Sequence, residues 1–110
     1  MMYVDFSAGN KDYKLRLNTR NIVALEKKLG MNPVHIFKTD GSIPPVTTLV
    51  NVLHASLQQY NHGITLEDAY DIFDEYLDDG KSPVDFVYVV MDIYRTSGLL
   101  PRAKETDEKN

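Results

Sequence analysis

The stretch VTTLVNVLHASLQQYNHGITLEDAYDIFDEYLDDG, residues 46–80, decides the fold. Val46, Leu49, Val50, Leu53, Leu57 and Tyr60 recur at steps of three and four, which places them on one face of a helix. His62-Gly63 breaks that run. Thr65 then offers a side-chain cap. Asp68 three residues on gives a capping-box pattern, with aspartate where glutamate or glutamine is usual. Leu66, Ala69, Tyr70, Phe73, Tyr76 and Leu77 make a second apolar stripe, closed by Gly80. Two successive amphipathic helices joined by a glycine turn predict a helical bundle.

Toward the C-terminus, Ser82-Pro83 with Asp85 repeats the start signal. Val84, Val87, Val90, Met91 and Tyr94 follow as a fourth stripe, ended by Gly98. The valines would suit a strand, but the cap and a length of about fifteen residues favour helix. Toward the N-terminus, the double proline 44–45 and Asp40-Gly41-Ser42 mark a loop from Thr39 to Pro44, and Pro45 can open the next helix. Asn32-Pro33 starts a short turn through Val34, Ile36 and Phe37. A helix is predicted from about Arg20 to Leu29, capped by Asn18 or Thr19, with Ile22, Leu25 and Leu29 on one face and Gly30 as its stop. Residues 2–8 and 12–17 read as strands, because Tyr13, Leu15 and Leu17 alternate with Lys14 and Arg16. Gly9-Asn10 between them suits a hairpin turn. The predicted class is mainly α, of the α+β kind: an N-terminal β-hairpin followed by a bundle of about four helices. A single domain is expected over 1–100, with a charged, disordered tail over 101–110.

The chain has 110 residues, 43% of them hydrophobic, enough for one domain with a real core. It has no cysteine, so no disulfide framework or thiolate chemistry is available. No apolar run approaches the roughly 20 residues that span a bilayer, and the N-terminus does not read as a signal peptide. A cytoplasmic protein with no membrane partner is expected. Net charge is −4 but uneven: residues 1–40 carry seven Lys/Arg against four Asp/Glu, and residues 41–110 five against twelve. An acidic chain without clustered Lys and Arg makes a poor nucleic-acid binder. The asymmetry permits head-to-tail contact between copies, although chance clustering on solvated faces is the simpler reading.

No pattern in the chain selects an enzyme. The serines at 7, 42, 56, 82 and 97 lack the glycines of a nucleophile elbow, and there is no phosphate loop. His35, His54 and His62 do not share a zinc-ligand spacing, although His54 lies close enough to the apolar stripe to line a groove. No catalytic residue, metal or cofactor is expected. Glu67, Asp71, Asp74 and Asp78 share one face of the third helix, which reads as a solvated face or as a surface for a basic partner. Tyr60, Tyr70, Tyr76, Tyr88 and Tyr94 all fall in the long helices and are the candidate partner-binding residues, since tyrosine packs its ring and keeps its hydroxyl wet. The competing reading puts them at the edge of the core.

Three stretches carry a resemblance to a known family: YKLRLNTRNIVALEKKLGMNP (13–33), LVNVLHASLQQYNHGITLEDAYDIFDEYLDDG (49–80) and IYRTSGL (93–99). They resemble the tail assembly chaperones of long-tailed phages of Gram-positive bacteria and related prophages. The resemblance covers roughly residues 12–100. It implies a hairpin, a short helix ending in leucine and glycine, a helix with an "LHAAL"-like segment, an acidic helix and a last helix. It also implies a non-enzymatic role in the bacterial host cytoplasm. Such proteins bind the long, aggregation-prone tape-measure protein and keep it soluble while the tail tube polymerises. Many are made in two lengths by ribosomal frameshifting. An exposed apolar or tyrosine-rich groove between the second and fourth helices is the expected binding site. The alternative expectation is a self-associating structural tail or virion assembly protein.

Overall fold

The computed structural model describes residues 2–102. Strands β1 (Val4–Ala8) and β2 (Lys11–Leu15) form an antiparallel hairpin. Helices α1 (Thr19–Leu29), α2 (Val46–Leu57), α3 (Leu66–Asp78) and α4 (Pro83–Ser97) follow, with a single 3-10 turn at Pro33–Ile36 between α1 and α2. The fold is α+β, a hairpin followed by four helices, as the periodicities predict.

The hairpin turn is set by two residues. Ala8 pairs with Lys11, which leaves Gly9 and Asn10 as a two-residue loop with φ of 58° and 66°. Positive φ at both positions is the turn whose twist matches the strands. The hairpin buries Phe6, Ala8 and Leu15 on its inner face. Leu17, just past β2, is also buried, and its N–H donates to Ser97 Oγ on α4 at 2.9 Å. Arg16 N–H donates to the carbonyl of Ser56 on α2 at 2.9 Å. These two bonds tie the end of the hairpin to two helices distant in sequence.

α2 is the central element, packing against α1, α3, α4 and β2. Leu49, Val50, Val52, Leu53, Ala55, Ser56 and Leu57 are all buried, which is more than one stripe and fits a helix enclosed on several sides. It ends at Leu57, short of His62 where the apolar run stops. Gln58 ends it: its backbone N–H turns to Ala55, and its side-chain amide donates to the carbonyls of His54 (2.9 Å) and Ile64 (2.8 Å). Tyr60 therefore lies in the turn after the helix, and Val46 at the helix start is exposed.

The other helices begin and end on local chemistry. Asn18 rather than Thr19 caps α1, accepting from Asn21 N–H at 2.9 Å, and Gly30 closes it in the left-handed conformation. Thr65/Asp68 and Ser82/Asp85 both form complete reciprocal capping boxes. α3 buries Ala69, Ile72, Phe73 and Tyr76, and Tyr70, expected in its stripe, is exposed. α4 buries Phe86, Val90, Ile93 and Tyr94, whereas Val84, expected inside, is exposed and Val87 and Met91 are half-buried. Phe6, Phe73, Tyr76 and Phe86 form an aromatic cluster with centroids 5.0–5.9 Å apart, joining β1, α3 and α4. Arg102 donates to the carbonyl of Thr96 at 3.1 Å; the tail expected from 101 lies, from residue 103, outside the described residues.

Candidate partner-binding surface

The five tyrosines separate into two groups. Tyr94 is fully buried, and its hydroxyl donates to the carbonyl of Pro33 at 3.0 Å. Burial raises its pKa, so the phenol stays a neutral donor. Tyr76 is buried in the aromatic cluster, with its pKa raised by burial and by Asp85. These two are core residues and offer a partner nothing, which corrects their place among the candidate contacts. Tyr60 (41% exposed), Tyr70 (38%) and Tyr88 (65%) do reach the surface.

They are not brought together. Tyr60 stacks edge-on against Tyr3 at 5.6 Å, with the Lys14 ammonium over both rings. That contact is local to the hairpin side and leaves Tyr60 engaged. Tyr70 lies on α3 among the acids. Tyr88 lies on α4 in a different setting: a groove lined by Phe37, Ile43, Pro44, Val84, Val87 and Met91. Val84, Val87, Tyr88 and Met91 are spaced at i, i+3, i+4 and i+7, so α4 carries a second apolar stripe beside its buried one. Val84 is 48% exposed and Ile43 opposite is also exposed.

The groove lies between α4 and the loop before α2. α2 and α4 themselves pack together in the core, so the groove expected between them is filled. The loop that forms the second wall is held in shape by Asp40, whose carboxylate accepts from the amide and hydroxyl of Ser42 at 2.9 and 2.7 Å. Those bonds hold the Asp40 carboxyl below its ordinary pKa. The sequence places Phe37 in a short turn and Ile43 in the loop that follows, but no local pattern says that either faces a helix. Val84, Val87 and Met91 carry an apolar signal, but one that reads equally as core.

Glu67, Asp71, Asp74 and Asp78 are all exposed on one face of α3. Among the described residues, the one ion pair is Arg95–Asp92, so none of these four has a cationic partner. Glu75 and Asp79 face the hairpin instead, and Asp79 accepts from Gly9 N–H at 2.9 Å. His54 lines a cleft between α1 and α2 with Asn21, Lys28, Asn51 and Gln58, and burial depresses its pKa. Among the described residues, no group of three or more His, Asp or Glu side chains is placed to hold a metal ion, and no helix is long and apolar enough to cross a membrane.

A family model, described as a family of unknown function (DUF6096), matches residues 4–110. The chain belongs to that family. The match begins at the first residue of β1 and takes in the whole hairpin and all four helices, so the groove of this DUF6096 protein lies inside the shared region. No curated protein and no solved structure matches the chain.

Proposed function

We propose that this protein is a non-enzymatic phage or prophage tail assembly chaperone, which holds a helical segment of the tape-measure protein in the α4 groove within the bacterial host cytoplasm. The observation that carries the reading is the second apolar stripe of α4. Val84 and Tyr88 are exposed and Val87 and Met91 half-buried beside them, and the four sit at the spacing by which a helix grips another helix. An apolar stripe that the core covers only in part, with Val84 and Tyr88 open to solvent, supports an interaction site. The order hairpin, short helix, central helix, acidic helix and last helix is also the one the resemblance implies.

Co-expression with the tape-measure protein tests the reading. A soluble complex is expected with the wild-type chain. Val84→Asp with Tyr88→Glu should abolish it while leaving the fold intact, since both side chains are exposed. An insoluble partner beside a wild-type chain that elutes alone would sink the proposal.

A further inference from the structure

The outward faces of α1 and α3 match each other in spacing and oppose each other in charge. On α1 and just beyond it, Arg20, Val23, Ala24, Lys27 and Met31 are exposed at i, i+3, i+4, i+7 and i+11. On α3, Glu67, Tyr70, Asp71, Asp74 and Asp78 are exposed at the same five spacings. Each set lies opposite its helix's buried side, Leu25 in α1 and Ala69, Phe73 and Tyr76 in α3. Glu26 is turned off the α1 face, and Lys28 adds a further cation to its flank. Glu75 and Asp79 are drawn toward the hairpin turn.

Both helices pack on α2 with almost no direct contact between them. Their outer faces point away from α2, so the two cannot meet within one chain. Among the described residues, none of their charges is in an ion pair. The α3 face also has an electrostatic need: Asp78 sits at the negative end of the helix dipole, and no basic residue lies in the last turn.

We infer that the α1 face of one copy docks on the α3 face of a second copy, in a heterologous head-to-tail contact. Laid antiparallel, the helices bring Arg20 to Asp78, Lys27 to Asp71 and Lys28 to Tyr70, with small Ala24 allowing close approach. The helix dipoles then also run antiparallel. Because the two faces differ, each copy keeps one face free and the assembly extends or closes into a ring. The inference concerns the chain alone and stands whether or not a tape-measure protein is its partner.

Sedimentation of the purified full chain tests it. Species larger than the monomer are expected at about 50 mM salt and should dissociate at about 500 mM, as screening removes the attraction. Lys27→Glu and Asp71→Lys should each weaken self-association by more than about tenfold. Mixed together, these two variants should assemble in alternation, because the unchanged α1 face of Asp71→Lys meets the unchanged α3 face of Lys27→Glu and the two reversed faces complement each other. The chain carrying both changes should assemble again. A wild-type chain that stays monomeric at low salt overturns the inference. So do single variants that assemble like wild type, or a mixture that stays monomeric.

Discussion

Tyr94 shows how a polar atom on a core side chain fixes the fold at one point. Its ring is enclosed and packs against Phe37 at 5.8 Å, and its hydroxyl donates to the carbonyl of Pro33 at the start of the 3-10 turn, which ties α4 to that turn. Tyr94→Phe keeps the ring and removes that hydrogen bond, so it should cost about 0.5–1.5 kcal/mol in chemical denaturation. Gly9 is a second such point. Its φ of 58° disfavours any side chain, and an added Cβ would meet the Glu75 carboxyl at 2.6 Å. The Glu75 side chain can swing away, so Gly9→Ala should lose about 1–2 kcal/mol from the backbone conformation. The sequence showed Gly9 as a turn residue. It could not show Tyr94 as a buried hydrogen-bond donor, because an inward and an outward tyrosine have the same place in a helical stripe.

Among the elements, caps were the most legible feature. Thr65 with Asp68 and Ser82 with Asp85 are four-residue patterns that need no tertiary context, and both form as written. Thr65→Ala should destabilise the protein by about 1 kcal/mol at neutral pH. The bonds from Thr65 lower the pKa of Asp68 below its unfolded value. Its contribution is therefore present above the ordinary carboxylate range and lost as pH falls through the folded value. The stability difference between wild type and Asp68→Asn should accordingly shrink in acid, measured as thermal midpoint against pH. The facing of α4 was the least legible feature. Its valines make two apolar stripes, Val84–Val87–Tyr88–Met91 and Phe86–Val90–Ile93–Tyr94, and periodicity alone does not say which one the core takes. Phe86 decides it, by joining the aromatic cluster with Phe6 and Phe73 across sequence distances no local pattern reports. The stripe Val84–Val87–Val90–Met91–Tyr94 that periodicity suggests takes residues from both.

At the scale of the whole molecule, the hairpin and the order of the helices could be read because each element carries its own period and stop. The surface could not, because exposure depends on which helix covers which. α2 is enclosed by α1, α3, α4 and β2, and this leaves the outer faces of α1 and α3 and one side of α4 open. A groove built on exposed residues separates stability from binding. Val84→Asp with Tyr88→Glu should shift the unfolding free energy by no more than about 1 kcal/mol, near the scale of ordinary surface changes, while partner capture fails. The most direct measurement is photo-crosslinking in cells that co-express the tape-measure protein, with a photoreactive residue placed at Tyr88 in one chain and at Tyr60 in another. A chaperone that uses the α4 groove gives a crosslink to the tape-measure protein from position 88 and little or none from position 60. No crosslink from position 88, or equal yields from both positions, would contradict it.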